Sequence, residues 1–191
     1  MTAPGIKLLS EEKALEMINT ILESDVDDCY KNAIMSLANN QGVVNVDDTY
    51  EIAARLAFCN PNETLPKNIS EFVTLAYLDA IEEDDDRAML DLGSLYYTGR
   101  IGEQSYADAV KFYKMAYEHG NLIAAENLGY FYYYGRDVEV NYETAYHYFI
   151  KSALAGRYES LYKIGDMYAK GLYVDEDANM AFMLYDKAYQ S

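Results

Sequence analysis

The sequence contains no tryptophan, only two cysteines and only two histidines among its 191 residues. Cys29 and Cys59 form neither a Cys-x-x-Cys pair nor a Cys/His cluster, so the sequence predicts no zinc site and no disulfide framework. Disulfides are rare inside cells, and we expect two thiols in a reducing compartment. A single bridge between the two cysteines stays open as the alternative. No metal and no cofactor is predicted.

Proline and basic residues are also scarce. Three prolines, together with long stretches of helix-forming residues, favour α-helices over a sheet-based fold. Lysine and arginine number 15 against 32 acidic residues, which gives a formal net charge of -17. A protein that binds nucleic acid needs excess Lys and Arg to displace counterions, so nucleic acid is disfavoured, as is an anionic membrane surface. The charge favours a basic protein or peptide partner, or serves solubility alone.

Long apolar segments are missing as well. A membrane-spanning helix needs about 18 to 20 apolar residues, and no stretch approaches that length. Residues 1–10 lack a basic region followed by an apolar run, so no signal peptide is predicted. We therefore expect a soluble, cytoplasmic protein, unless an export signal has been removed.

The dominant feature that the sequence does have is a repeat of 36 residues. Its first half places a small residue, a large apolar residue, Gly, Tyr and Gly at constant spacing. Its second half places Ala, then two large apolar or aromatic residues. Three copies without slippage predict three repeated helix pairs. The first halves are Ala88-x-x-x-Leu92-Gly93-x-x-Tyr96-x-x-Gly99, Ala124-x-x-x-Leu128-Gly129-x-x-Tyr132-x-x-Gly135 and Ser160-x-x-x-Ile164-Gly165-x-x-Tyr168-x-x-Gly171, and the second halves are Ala109-x-x-Phe112-Tyr113, Ala145-x-x-Tyr148-Phe149 and Ala181-x-x-Leu184-Tyr185.

Each position of the repeat has a structural reason. Ala, Leu and Tyr at i, i+4 and i+8 form one stripe of an α-helix, and the Gly after Leu lets a partner helix approach closely. The final Gly supplies the left-handed residue that ends the helix. Ser105, Asn141 and Asp177 each precede the alanine of the second helix by four residues, where an oxygen-bearing side chain caps backbone N–H groups. Such a pair buries its apolar face only against its neighbours.

These residues resemble the Sel-one-like repeat family, the 36-residue branch of the tetratricopeptide superfamily. The resemblance covers residues 88–191, divided into repeats 88–123, 124–159 and 160–191. It implies an all-α fold, an α/α solenoid (superhelix) of antiparallel helix pairs, right-handed as in the tetratricopeptide class. Counting the helical runs of the whole sequence gives about five such pairs. Two departures, the lack of tryptophan in the aromatic pair and a partial Gly-x-Gly loop at residues 99–102, are interpreted as packing variation.

The half of the chain before the repeats, residues 1–87, is interpreted as divergent helical repeats that cap the array and continue it as one domain. This half holds 18 acidic and 6 basic residues and all three prolines, but its helical periodicity continues. Counting back 36 residues makes 52–87 a degenerate unit in phase with the three repeats. A second register aligns residues 49–53 with 141–145, and the sequence leaves both open.

The resemblance also implies a binding face. In tetratricopeptide-type arrays the first helix of each pair lines a concave groove, and its positions outside the core contact the ligand. Tyrosine suits such a face because it offers a large contact area, few rotors and a polar tip. The alternative is that the tyrosines only fill space between helices. The predicted partner-binding residues are Leu90, Ser94, Tyr97, Thr98, Glu126, Tyr130, Tyr133, Tyr134, Tyr162, Asp166 and Lys170.

A calcium loop is a weaker candidate. Asp175, Asp177, Asn179 and Asp186 reproduce part of the ligand spacing of an EF-hand. The position that demands glycine is Met180, however, and Asp177 occupies the capping position of the repeat. We therefore predict a helix start here and no calcium site.

Two further features carry no predicted chemistry. The acidic block at residues 82–86 is interpreted as a solvated helix end in preference to a contact for a basic partner. His119 and His147 lie in different helices without a nucleophile at a telling spacing, which favours surface or helix-capping roles.

The sequence therefore predicts a non-catalytic scaffold or adaptor that binds a peptide or protein on the concave face of a helical repeat array. An enzyme of hydrolase type, proposed for some relatives in the family, is one alternative, although no nucleophile–base pair supports it. A regulatory or oligomerisation segment of a larger assembly is another. The last helix lacks the glycine that closes the earlier repeats at Gly120 and Gly156, which predicts a homo-oligomer contact there or a longer parent chain.

Overall fold

The computed structural model describes residues 7–39, 42–46 and 48–190. Within these ranges the chain forms ten α-helices and no β-strand, apart from an isolated antiparallel bridge between Ala38 and Val44. None of the described helices combines the length and the apolar character that crossing a membrane requires. The all-α prediction is confirmed. The helices are α1 (Glu11–Glu23), α2 (Asp28–Met35), α3 (Thr49–Phe58), α4 (Lys67–Glu82), α5 (Asp86–Thr98), α6 (Tyr106–Glu118), α7 (Leu122–Tyr134), α8 (Tyr142–Leu154), α9 (Glu159–Lys170) and α10 (Ala178–Tyr189).

The chain divides into two compact units, Met1–Ala109 and Val110–Ser191, with the boundary inside α6. In the first unit α3 packs on α4, α1 also packs on α4, α2 packs on α3, and α5 packs on α4. Leu56, Phe72 and Tyr77 are fully buried there, and burial of a side chain of this size contributes about 1.5 to 3 kcal/mol. Helices α3 and α4 pack on each other as a pair, and the register that makes residues 52–87 a degenerate unit stays a prediction.

In the second unit each helix packs on the one that follows it: α7 on α8, α8 on α9, and α9 on α10. Phe149 of α8 and Ile164 and Met167 of α9 are almost completely buried in one cluster. The apolar face of a helix pair is therefore covered by the next pair, as the repeat predicts. A single continuous domain over the whole chain stays a prediction.

The helix ends confirm the predicted caps. Gly135 and Gly171 end α7 and α9 in the left-handed conformation, with φ of 67° and 61°. The side-chain oxygens of Asn141 and Asp177 accept N–H groups from the first turns of α8 and α10 at 2.8 and 2.9 Å. At the start of α6, the hydroxyl of Ser105 accepts a backbone N–H three residues later at 3.2 Å.

The glycines inside α7 and α9 permit the predicted close approach. A Cβ added at Gly129 would lie 2.6 Å from the ring of Phe149 on α8. A Cβ added at Gly165 would lie 2.6 Å from the ring of Tyr185 on α10. Both distances are far below van der Waals contact, so in both repeats the aromatic ring occupies the space that a side chain would need.

Candidate partner-binding surface

The candidate site contains two tyrosines that lie one helical turn apart. Tyr130 and Tyr134 lie on α7, and their rings stack with centroids 6.2 Å apart and planes inclined by 3°. Tyr130 is half-buried because its ring meets the edge of Phe149 at 5.3 Å, and this burial raises its pKa. Tyr134 keeps 48% of its surface exposed. Helix α7 therefore presents the exposed ring of Tyr134 stacked on the half-buried ring of Tyr130.

Lys163 of α9 lies over the rings of Tyr133 and Tyr134. Its Nζ is 5.4 Å from the ring centroid of Tyr133 and 5.6 Å from that of Tyr134, within the range of a cation–π interaction. The same ammonium group donates a hydrogen bond to a carboxylate oxygen of Asp166 at 2.9 Å. Burial alone would lower the pKa of Lys163, but hydrogen bonds with Asp166 and Tyr134 outweigh it and raise this pKa. The lysine is therefore charged at neutral pH and held in place.

Asp166 links this arrangement, through Tyr185, to a second exposed tyrosine, Tyr162. The hydroxyl of Tyr185 donates to its other carboxylate oxygen at 2.9 Å, and the ring of Tyr185 lies 6.0 Å from that of Tyr162. Burial would raise the pKa of Asp166, but hydrogen bonds from Lys163 and Tyr185 lower it. Tyr162 is 41% exposed. One chain of contacts thus joins the residues that we call the tyrosine surface: Tyr130, Tyr134, Tyr162, Lys163 and Asp166.

Two residues predicted to bind a partner are buried instead of displayed. Glu126 is 5% exposed, and the guanidinium of Arg157 donates two hydrogen bonds to its carboxylate. Tyr133 is 8% exposed, with its ring 6.2 Å from that of Phe149. These side chains hold α7 against its neighbours, so they offer little area to a partner.

The four predicted positions on α5 lie in the first unit. Leu90, Ser94 and Tyr97 are half-buried, and the ring of Tyr97 lies 5.5 Å from that of Tyr106. Thr98 is exposed, and its hydroxyl donates to the backbone carbonyl of Ser94 at 2.8 Å. The contact chain of the tyrosine surface, in contrast, lies entirely in the second unit.

Three residues that belong to the tyrosine surface or support the helices around it were not predicted to do so: Lys163 in the surface, and Arg157 and Tyr185 beside it. Lys163 stands three residues before Asp166, a helical spacing at which opposite charges meet, so this pair could have been found from the sequence. Lys170, which was predicted, is exposed at the end of α9.

The calcium-loop candidate and the two histidines lie at helix ends or on the surface. Asp177 caps α10, as predicted, and its Oδ1 already accepts two backbone N–H groups. Among residues 7–39, 42–46 and 48–190, no group of three or more His, Cys, Asp or Glu side chains is placed to hold a metal ion. His119 lies at the end of α6 with Nδ1 2.8 Å from the carbonyl oxygen of Met115, and His147 is exposed on α8.

The acidic block forms the turn between α4 and α5. Helix α4 ends at Glu82, Asp84 adopts a left-handed conformation with φ of 63°, and Asp85 caps α5. A side-chain hydrogen bond from Arg87 lowers the pKa of Asp85. The predicted helix end is thus observed, and a contact with a basic partner stays a prediction.

The repeated helix pairs match the model of the Sel1 repeat at residues 86–121, 122–156 and 159–191, more than half of the chain. The chain belongs to the Sel1 repeat family. The predicted resemblance is confirmed. Proteins of this family are generally protein-interaction scaffolds and typically non-catalytic.

Solved structures agree with this assignment. A Sel1 repeat protein from Oxalobacter formigenes is 28% identical, with a TM-score of 0.54 over 61% of this chain and 88% of its own. A protective antigen of uropathogenic Escherichia coli that displays an SLR fold is 23% identical, with a TM-score of 0.62 over 93% of this chain. This chain spans 36% of the antigen's length, and that likeness shows the fold alone. Together they confirm the α/α solenoid class. No curated protein matches the sequence.

Proposed function

We propose that this Sel1 repeat protein is a non-catalytic scaffold whose tyrosine surface binds a peptide segment of a protein partner. The observation that carries the proposal is the contact chain in the second unit. Two exposed rings, Tyr134 and Tyr162, are held at its ends by Lys163, Asp166 and Tyr185.

The fixed positions of these side chains favour binding, because little conformational entropy is lost when a partner contacts them. An immobilised side chain costs binding free energy only if it was mobile before, and these rings already stack on neighbours. Tyrosines at the centre of an interface commonly account for about 2 kcal/mol or more each. Tyr134 and Tyr162 are therefore proposed as the main contacts, with half-buried Tyr130 as their support.

The charge of the surface indicates the chemistry of the partner. Lys163 and Asp166 neutralise each other at 2.9 Å, so a partner need not bring a charge into the contact. The surface offers ring faces and hydroxyl groups, which suit an apolar or aromatic side chain beside a polar backbone. The net charge of -17 favours basic residues flanking that side chain, since they speed association. We propose a basic peptide with an apolar anchor.

The test uses the full chain and a defined library of basic peptides that contain one apolar anchor. A peptide that binds is titrated by calorimetry against wild type, Tyr134→Ala and Tyr162→Ala, and each variant should weaken binding at least tenfold, roughly 1.4 kcal/mol. Tyr173→Ala is the matched control, because Tyr173 is also 48% exposed but contacts Glu143 and Tyr146. If Tyr173→Ala weakens binding as much as the other two, the tyrosine surface is not the site.

The hydrolase alternative gains no support from the geometry. The two carboxylates that it would draw on already have partners: Glu126 binds Arg157, and Asp166 binds Lys163 and Tyr185. Such pairing stabilises packing and fixes the surface, which is the requirement of a scaffold.

Self-association through α10 is a second candidate function. In the second repeat Tyr146 of α8 packs on the following pair, with its hydroxyl 3.3 Å from that of Tyr168. Phe182 occupies the same repeat position in α10 but is 70% exposed, and neighbouring Met183 is 64% exposed. Adjacent exposed apolar side chains favour a protein contact, and we propose that a second copy of this chain covers them.

Light scattering across a concentration series tests this candidate. Wild type should form a dimer as the concentration rises, and Phe182→Ser with Met183→Ser should remain a monomer. Leu154→Ser is the control, because Leu154 is 84% exposed on α8 and should not change the association. A wild-type mass that stays monomeric at millimolar concentration would reject self-association and leave the peptide-binding proposal untouched.

A further inference from the structure

The two cysteines of the chain meet in the first unit. Cys29 is the second residue of α2, and Cys59 directly follows α3, thirty residues later. Both are half-buried free thiols, and their Sγ atoms are 3.0 Å apart. A disulfide bond is about 2.05 Å long, so a shift of about 1 Å would bring the sulfurs to bonding distance.

Independent hydrogen bonds fix the backbone at both cysteines. Asp27 caps α2 by accepting the N–H of Cys29 at 2.8 Å. On the other side, the buried guanidinium of Arg100 donates to the backbone carbonyls of Ala57, Asn60 and Glu63, which bracket Cys59. The placement of α2 and α3 therefore brings the two cysteines together.

We propose that Cys29 and Cys59 are a reversible oxidation site, at which a low-molecular-weight disulfide converts the two thiols into one intramolecular disulfide. In the first step the thiolate of one cysteine attacks one sulfur of the reagent, and the other half of the reagent leaves as a thiolate. In the second step the other cysteine loses its proton to solvent and its sulfur attacks the protein sulfur of the mixed disulfide, which releases the second half as a thiolate. Two protein thiols are oxidised, and one reagent disulfide is reduced to two thiols.

The surroundings set the rate of these steps. Burial, together with the adjacent Cys59 sulfur and Asp27, raises the pKa of Cys29 to about 12. Only thiolates attack disulfides, so this raised pKa slows the attack of Cys29 on a reagent in solution. The second step is intramolecular, and the 3.0 Å separation of the two sulfurs accelerates it. Oxidation should accelerate as the pH rises.

The bridge would tie α2 to the end of α3. Closing a loop of this length removes conformational freedom from the unfolded chain, so the oxidised protein should unfold at a higher temperature than the reduced one. The redox state would then set how firmly the first helices are held to the rest of their unit.

The experiment treats the reduced full chain with cystamine under native conditions, then with iodoacetamide, and measures the intact mass. The expected product has lost two hydrogen atoms, carries no cystamine adduct and takes up no iodoacetamide, and dithiothreitol restores the starting mass. The same chain treated with a large excess of cystamine in guanidinium should carry adducts, which shows that the reagent reaches both thiols. A native product with stable adducts, or with two alkylated thiols, would overturn the proposal.

Single variants test the intermediate of this reaction. Cys29→Ser and Cys59→Ser should each stop at a stable mixed disulfide on the remaining cysteine, because no second thiol is left to displace the reagent. If neither variant takes up cystamine, a mixed disulfide is not the intermediate, and circular dichroism of each variant checks that it is folded. The intact mass of the treated wild-type protein tests the disulfide bond by itself, without either variant.

Discussion

The guanidinium of Arg157 donates two hydrogen bonds to one carboxylate oxygen of Glu126, from Nε at 2.9 Å and from Nη2 at 2.8 Å. Glu126 lies on α7 and Arg157 in the turn before α9, so the pair joins α7 to the turn that leads into the next repeat. The glutamate side chain is 6% exposed and the arginine side chain 40%. The guanidinium of Arg157 therefore supplies most of the hydrogen bonding and of the opposite charge for the buried carboxylate of Glu126.

Arg157→Ala should destabilise the protein. The substitution leaves the buried carboxylate of Glu126 with only Ser160, whose hydroxyl lies 3.5 Å away. Hydrogen bonds to charged groups are worth about 1.5 to 3 kcal/mol, and we expect a loss of that size in the free energy of unfolding measured with urea. Lys170→Ala, which removes an exposed cation from the opposite end of α9, should change it by less than about 0.5 kcal/mol. Equal effects of the two variants would mean that the pair adds no specific stability.

Gly129→Ala should cost more stability than Gly165→Ala. Each added methyl group would meet an aromatic ring at 2.6 Å, but Phe149 is fully buried whereas Tyr185 is half-buried and has room to move. Overpacking costs about 1 to 3 kcal/mol, and replacing a helical glycine by alanine returns about 1 kcal/mol. Thermal unfolding should therefore show a clear drop for Gly129→Ala and a small change for Gly165→Ala. A larger loss of stability for Gly165→Ala than for Gly129→Ala would show that burial of the facing ring does not set the cost of the added methyl group.

Asp91→Asn should raise stability at neutral pH. The hydroxyls of Tyr50 and Tyr77 both donate to Oδ2 of Asp91 at 3.3 Å, but burial outweighs them and raises the pKa of this carboxyl. A raised folded-state pKa means that the native state holds the proton more tightly than the unfolded chain does, so ionisation costs stability as the pH rises. The advantage of the variant should be largest at pH 7 and vanish below about pH 4. An advantage independent of pH would assign the effect to packing.

The sequence predicted the features that local pattern controls and missed those that depend on tertiary placement. The caps at Gly135, Asn141 and Asp177 follow from the backbone needs of a helix end, which a few neighbouring residues decide. The pair Arg157–Glu126 spans 31 residues and joins two side chains outside the repeated motif, so periodicity gives no sign of it. The spacing of Tyr133 along α7 predicted a position on the binding face. Helical periodicity does not show which rings the neighbouring helices bury, and Tyr133 is buried.

Tyr185→Phe should make the protein less sensitive to alkaline pH. Burial and the hydrogen bond to Asp166 raise the pKa of Tyr185 to about 12, above the ordinary value near 10. The native state therefore holds this proton more tightly than the unfolded chain, so the stability that it contributes is complete below about pH 10 and is lost as the pH rises through 12. At pH 7 the variant should lose about 1 kcal/mol with the hydrogen bond, and this deficit should disappear by about pH 12. Urea unfolding at pH 7, 9 and 11 measures the difference, and Tyr189→Phe, at an 84% exposed tyrosine, should follow wild type throughout. If the deficit of Tyr185→Phe stays constant across this range, the hydroxyl of Tyr185 does not titrate as a group held by Asp166.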